Sequence, residues 1–300
     1  MTERPIVAVD GDSLAHRAYH GYAHQAGGAH AGFLRLLADL IAGTDLTIDG
    51  LVVAFDSVTS WRRDLHPAYK AQRPDKDPEL VGFVADLPGL CAQVGLPTLQ
   101  VAGHEADDGV ASVAAACEYD GVPCVVLSSD RDAYAIVSPL TTLRRVRGGG
   151  NDQWVTPQTL TRKLGMPYER YTQYAALRGD SSDNLPGVRG IGPKKAAALL
   201  SEYPTAEAAA ADPIGCRSVL GKELGQRLID DLAADESLTR RNLTLMTPVR
   251  TLPVTLEHAR NLPPQEQVAA RCNTAEVPQA ASRLAIAVGR VDAAQEALDV

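Results

Sequence analysis

Three apolar, β-rich runs in this chain each lead into an aspartate: IVAVD at Asp10, LVVAFD at Asp56 and CVVLSSD at Asp130. Further apolar runs lie near 98–101 and 141–143, and amphipathic helical stretches near 31–42, 80–94 and 105–118 separate them. Short β-rich runs alternating with helix-length segments predict an α/β fold, with a mostly parallel sheet flanked by helices. In open sheets of that kind, ligands bind beyond the carboxyl ends of the strands. Asp10, Asp56 and Asp130 all occupy such ends and are expected to converge.

Six more acids sit at element boundaries: Glu105, Asp107 and Asp108 in GHEADD, Asp132 in SSDRD, and Asp180 and Asp183 in RGDSSDN. Gathered at one sheet edge, these carboxylates repel one another unless divalent cations occupy the cluster. Oxygen-only ligands suit Mg²⁺ or Mn²⁺ rather than zinc, which points to metal-assisted phosphate chemistry. Each motif also has a plain structural reading. Acids in a first turn complement the helix dipole, Asp130 or Asp132 can be an N-cap, and GDSSDN can be a solvated turn. At about 100° per residue, Glu105 and Asp108 share a helix face while Asp107 points further round. Either the helix begins later or one acid stands behind the ligands, and Asp108 is the less secure member.

The net charge of -8 argues against a nucleic-acid partner only if averaged over the whole surface. Local patches weigh more. Basic residues gather as Arg62, Arg63, Lys70, Arg73 and Lys76, as Arg144, Arg145 and Arg147, and as Arg178, Arg189, Lys194 and Lys195. SWRRDLHPAYKAQRP interleaves its cations with Trp61 and Tyr69, which suits a single strand held by phosphate contacts and base stacking; composition alone equally allows a solvated loop. The five cysteines form no CxxC pair, against a structural zinc site and in keeping with a reducing cytoplasm. No stretch approaches the ~18 apolar residues of a membrane span, and the start has too short an apolar run for a secretory signal.

After RGGGN the texture turns helical, with WVTPQTLTRKLG and YERYTQYAALRG read as helices. In LPGVRGIGPKKAAALL, Gly187, Gly190 and Gly192 allow tight turns and close backbone approach. With the next helix's N-terminus they offer an anion site, and Lys194 and Lys195 follow at once. This is the helix–hairpin–helix pattern, which grips a nucleic-acid backbone without reading sequence; an ordinary interhelical turn is the alternative.

Taken in order, these motifs resemble the 5′-nuclease (flap endonuclease) superfamily, and most of all the 5′–3′ exonuclease domain that begins bacterial DNA polymerase I. VDGDSLAHRAYH, AFDS with WRRDLHPAYKAQRP, GHEADD, SSDRD and GDSSDNLPGVRGIGPKKA carry the likeness over roughly residues 5–245. The resemblance implies a PIN-like core over 1–165 with an arch or threading region about 57–100. It further implies a helix–hairpin–helix subdomain over 166–250; the tail over 251–300 lies beyond the likeness, has no readable role, and is expected to pack on the core. It implies two divalent ions, Mg²⁺ with Mn²⁺ able to substitute, and K⁺ at the hairpin. Asp10, Asp56, Glu105, Asp107 and Asp130 would build one metal site, and Asp132, Asp180 and Asp183 the other, with some acids shared and Asp108 counted among the metal-site residues. Lys70, Arg73 and Arg17 would serve the reacting phosphate. Arg62 and Tyr69 would contact DNA, and Gly187, Gly190, Gly192, Lys194 and Lys195 would hold the duplex. The substrates would be DNA 5′ flaps, nicks and 5′ ends, RNA-primed ones included, cut by a cytoplasmic monomer acting with a DNA polymerase and a ligase.

Asp12 departs from the pattern as an added acid, Arg131 stands where lysine is common, and the helix at 31–42 lacks a tyrosine near its start. With Val300 as its last residue, the sequence resembles a free-standing exonuclease rather than a polymerase. Two other readings fit parts of it: a haloacid-dehalogenase-type phosphatase, from VDGDS and GDSSDN, and a non-catalytic DNA-structure binder with the nuclease fold.

Overall fold

The computed structural model describes residues 4–44, 47–75, 77–147 and 151–295; Lys76 and the glycines of RGGGN lie outside the described residues. Six strands form one sheet: β1 (Ile6–Asp10), β2 (Gly50–Ala54), β3 (Thr98–Leu99), β4 (Cys124–Ser128), β5 (Thr141–Arg145) and β6 (Gln153–Val155), in the order β3-β2-β1-β4-β5-β6. All neighbours are parallel except β5 and β6. The central strands are apolar on both sides because both sides are covered. Ile6, Ala8, Val52 and Val126 enter one core; Val7, Val9, Val53 and Leu127 enter the other.

The second core is closed by α1 (Gly11–Tyr22), α2 (Gly28–Ala42) and, after the short α3 (Trp61–Leu65), α4 (Pro78–Val94). The first core receives α5 (Ala106–Asp120). The chain runs outward from β1 to β2 and β3, then crosses back to place β4 on the other side of β1. The strand order thus reverses between β1 and β4, where open α/β sheets take their ligands.

Beyond the sheet come α6 (Pro157–Leu164), α7 (Tyr171–Arg178), a two-stranded ribbon of β7 (Gly179–Asp180) and β8 (Leu185–Pro186), and α8 (Pro193–Glu202). They are followed by α9 (Ala206–Ala210), α10 (Pro213–Leu220), α11 (Lys222–Ala233) and α12 (Leu238–Met246). The last helices, α13 (Leu256–Arg260), α14 (Gln265–Thr274) and α15 (Ala281–Gln295), return to the sheet, α14 against α4 and α15 against α2.

WVTPQTLTRKLG is not one helix. Its first residues form the antiparallel edge strand β6, and α6 begins only at Pro157, with the Thr156 side chain accepting from the Thr159 N–H as its cap. The apolar run at 98–101 pairs over two residues only.

Candidate active site at the switch point of the sheet

Two of the strand-end aspartates also fix helix starts. Asp10 closes β1, and its Oδ1 accepts the Ser13 N–H at 2.9 Å, capping α1. Its Oδ2 accepts the Ser128 hydroxyl from the end of β4 at 2.7 Å. Asp56, just past β2, accepts the N–H of Ala106, the first residue of α5, at 2.7 Å. Glu105 is the N-cap residue of that helix. The added acid Asp12 acts as a brace. Its carboxylate accepts the Asp56 N–H at 2.7 Å and so ties the start of α1 to the end of β2. Asp130 accepts the Asp132 N–H at 3.0 Å in the turn after β4.

These groups border a continuous cleft. On the α1 side a space of about 480 Å³ is lined by Asp10, Asp12, Asp56, Glu105, Asp107 and Asp130. A narrower recess of about 80 Å³ continues from Asp107 and Asp130 to Asp132, Asp180 and Asp183. Eight of the nine predicted acids therefore share one cleft. The electrostatics reflect the crowding. Burial, with Asp56 and Asp130 close by, pushes Asp10 up to about 6 despite the Ser128 and Ser13 hydrogen bonds. Burial and the charges of Asp10 and Asp130 hold Asp107 well above the usual carboxylate range. Asp132 is pushed up to about 7 by burial and by Asp130, Asp180 and Asp183. Asp180 goes the other way: burial opposes its ionisation, but the Ser182 hydrogen bonds and Arg178 outweigh it.

A donor set made of carboxylate oxygens fits hard divalent cations, and the raised acids show how much local positive charge would relieve. The carboxylates line the cleft without converging. Among the described residues no group of three or more His, Cys, Asp or Glu side chains is drawn together closely enough to hold an ion. The two separate ligand sets implied by the resemblance are thus not preformed; basic side chains hold several of the oxygens instead. Lys70 Nζ lies 3.1 Å from Glu105, and Arg73 Nη2 lies 2.6 Å from Asp183. Burial opposes the Lys70 charge, but Glu105 and Asp183 more than restore it and raise its pKa. Lys70 adopts a left-handed φ of 57°, rare for a side chain of its size. Its N–H donates to the Asp183 carbonyl at 3.0 Å, and Asn184 Nδ2 donates to the Ala68 carbonyl at 2.9 Å. The loop expected to thread DNA is therefore docked on the 181–184 turn.

Three expectations give way here. Asp108 does not face the cleft. It is fully buried, takes both Arg62 Nη atoms at 2.8 and 2.7 Å, and accepts the Val249 N–H at 2.9 Å. Arg62, predicted to contact DNA, is 4% exposed and gives its Nε to the Leu245 carbonyl. Tyr69, predicted to stack on a base, is also 4% exposed, packs with Leu185 and Leu245, and donates to Glu105 Oε2 at 3.0 Å. Part of this segment's basic and aromatic pattern, Trp61 and Arg62, belongs to a buried network anchoring α3 to α5 and α12, while Lys70 and Arg73 line the cleft.

Arg17 lines the α1 side of the cleft. Lys194 and Lys195 are exposed in the first turn of α8, whose N-cap, Gly192, makes no side-chain hydrogen bond. Gly190 takes φ +93°, and Gly187 approaches the Arg178 backbone so closely that a Cβ would lie 2.3 Å from its carbonyl carbon. Two supporting residues stand outside the set of predicted site residues: Ser128, which braces Asp10, and Asn242, whose amide holds the Ala176 and Pro186 carbonyls from α12. Nothing in either one's local sequence marks it, since each is defined by a partner more than fifty residues away.

Comparison with known proteins identifies the family and the fold. The family described as "5′-3′ exonuclease, N-terminal resolvase-like domain" matches residues 5–165, and "5′-3′ exonuclease, C-terminal SAM fold" matches residues 166–267. DNA polymerase I of Mycobacterium tuberculosis is 32% identical over 259 residues, 83% of this chain and 28% of the polymerase. The thermostable DNA polymerase I of Thermus aquaticus is 34% identical over 210 residues, 68% of this chain and 24% of the polymerase. The chain thus spans about a quarter of the length of these relatives. Among solved structures, the T5 D15 protein co-crystallised with metal ions superposes with a TM-score of 0.68 at 18% identity, covering 96% of this chain and 99% of its own. The catalytic core of Rad2 in complex with DNA substrate superposes with a TM-score of 0.59 at 16% identity, covering 95% and 92%. At those identities the likeness is one of fold.

Proposed function

Since the chain belongs to the 5′–3′ exonuclease family, we propose that it hydrolyses DNA phosphodiesters near 5′ ends, as a 5′–3′ exonuclease and a structure-selective 5′-flap endonuclease. The observation that carries this reading is the meeting of eight acids in one cleft at the sheet's switch point, with Lys70 and Arg73 on its wall. Asp10, Asp56, Glu105, Asp107 and Asp130 would hold one divalent cation, and Asp132, Asp180 and Asp183 a second. Bound there, Mg²⁺ or Mn²⁺ would lower the pKa of a water nucleophile and stabilise the leaving oxygen of an in-line displacement. Lys70 and Arg73 exchange their carboxylate partners for the substrate phosphate and orient it. Asp12 and Ser128 keep Asp56 and Asp10 in place, and the docked 181–184 turn keeps Asp180 and Asp183 facing the cleft.

Residues 1–165 then act as the catalytic core. Residues 166–250 act as the duplex-gripping part, through the Gly187–Gly192 hairpin, Lys194, Lys195 and a K⁺ ion at the hairpin. Such backbone contacts read shape rather than sequence and are weakened by salt. The enzyme would work as a monomer on flaps, nicks and RNA-primed 5′ ends, beside a polymerase and a ligase. Among the described residues no helix is long and apolar enough to cross a membrane; we place the activity in the cytoplasm. A dehalogenase-type phosphatase would need its last acids after a strand of the main sheet, whereas Asp180 and Asp183 follow α7.

The test is cleavage of 5′-flap, nicked and single-stranded oligonucleotides with Mg²⁺ or Mn²⁺, beside a small phosphomonoester. Flap and nick cutting that stops in EDTA is expected. Cleavage undiminished by excess EDTA, or turnover of the phosphomonoester alone, sinks the proposal.

A further inference from the structure

The side of α1 that borders the cleft carries Ser13, His16, Arg17 and His20. Their spacing, i, i+3, i+4 and i+7, is that of a single helical stripe. Ser13 belongs to the acid end, where its hydroxyl pairs with that of Ser129. The other three lead away from the acids, and the chemistry proposed above uses neither histidine. Arg17 is underemployed for a guanidinium. Its Nη1 reaches the Val146 carbonyl only at 3.5 Å, and its buried Nε has no hydrogen-bond partner. That long Nη1 contact is weak and leaves the group able to take a better acceptor, and a guanidinium matches phosphate oxygens best. Lys70 and Arg73 border the same space from the other wall. Asp12 shares it, but one of its oxygens is already engaged by the Asp56 N–H.

The cleft is one compartment of a longer groove. Arg131 and Asp180 border both the central recess and a hollow beside the hairpin that reaches Gly187 and Pro193. Asp107 and Asp130 border both the central recess and the α1 compartment. The order is therefore hairpin, acids, α1 stripe. A strand laid along this groove with its duplex at the hairpin carries the scissile phosphate over the acids. What lies beyond is the short piece bearing the 5′ terminus.

We propose that His16, Arg17 and His20 bind the backbone phosphates of that 5′ piece, immediately on the 5′ side of the cut. The stripe supplies imidazole and guanidinium N–H donors along one helix face, at a spacing that follows a strand rather than a single ion. It thereby holds the segment that leaves, and favours substrates that have such a segment. This inference rests on the nuclease reading above.

The test uses a 5′-flap oligonucleotide in which the first phosphate 5′ of the scissile one is replaced by an uncharged methylphosphonate. Wild-type enzyme with Mg²⁺ is expected to cut it about tenfold more slowly than the all-phosphate flap, the loss due to one charge-assisted contact. The His16→Ala/His20→Ala double variant is expected to cut the all-phosphate flap more slowly and to show about a twofold penalty or less from the methylphosphonate. A methylphosphonate in the duplex beside the hairpin should slow both enzymes equally. Equal sensitivity of wild type and variant to the flap methylphosphonate, or none in the wild type, overturns the stripe. Failure of the wild type to cut the all-phosphate flap overturns the nuclease reading instead. His20 is exposed, so His20→Ala alone carries the test if the double variant does not fold.

Discussion

Asp107 and Asp108 are neighbours in sequence with opposite electrostatic roles, and the contrast makes a prediction. Asp107 sits among acids, and burial with Asp10 and Asp130 raises its pKa. Burial also opposes the Asp108 charge, but the Arg62 hydrogen bonds and charge overcome it and lower the pKa. Asp10, Asp107 and Asp132 have folded-state pKa values above the unfolded value of ~3.9, so the folded state binds more protons between that value and about 7. Their contribution to stability is present at the acid end of that window and lost as pH rises through it. In EDTA, the melting temperature should fall as pH goes from about 5 to about 8, and Asp107→Asn should flatten the slope and raise stability at the alkaline end while abolishing cleavage. Asp108→Asn should instead destabilise by about 3–5 kcal/mol, because it strands the Arg62 guanidinium in a dry site. Thermal melts of both variants with and without Mg²⁺ check this. Equal melting behaviour of the two variants would remove Asp108 from the structural role and return it to the candidate ligands. From sequence the pair could be flagged but not resolved: three acids in four positions exceed what capping needs, but the partner that claims Asp108 lies 46 residues away.

At the scale of elements, legibility followed environment. β1, β2 and β4 were plain because they are apolar on both faces, which few other environments demand. β6 was lost because an edge strand of three residues before a proline looks like the approach to a helix. The segment around α3 holds two settings that composition does not separate: Arg62 surrounds a buried carboxylate while Lys70 and Arg73 line the cleft, and cations beside aromatics have the same composition in both. The hairpin was plain because its glycines answer backbone needs. Gly179 takes φ +75°, and a Cβ there would meet the Gly187 nitrogen at 2.2 Å. Gly187→Ala therefore forces β7 and β8 apart and shifts Asp180, at a cost of about 1–3 kcal/mol as an overpacked site. Its flap cleavage should fall far more than its affinity for single strands. Lys194→Ala, in the exposed first turn of α8, should leave melting unchanged and lower the salt dependence of duplex binding by about one unit of slope. Binding isotherms over a salt series separate the two, and a Lys194→Ala slope equal to wild type would take this lysine off the duplex.

For the molecule as a whole, the division suggested by the sequence conceals a return. The last residues offer no motif, and the family match ends at residue 267. Yet α14 and α15 place Val268, Cys272, Leu284, Ala287 and Val288 in the same core as Phe33, Leu34 and the inner faces of β1 and β2. These helices form an outer layer on α4 and α2, the helices that cover the sheet face above β1 and β2, so the chain's end backs the elements packed on the strands that present Asp10 and Asp56. Sequence supports only the expectation that this tail packs on the core and does not show where, because an Ala-rich amphipathic helix carries no mark of the partner its apolar stripe will meet. Five such side chains, at about 1–2 kcal/mol each, contribute about 5–10 kcal/mol, comparable to the whole stability of an ordinary domain, about 5–15 kcal/mol. A chain cut after Pro264 should therefore lose its cooperative melt and its cleavage together, although every proposed ligand and every DNA contact remains in it. Urea unfolding monitored by circular dichroism, with flap cleavage on the same samples, reads the outcome. A truncated chain that melts cooperatively and still cuts would show that the core around β1 closes without α14 and α15.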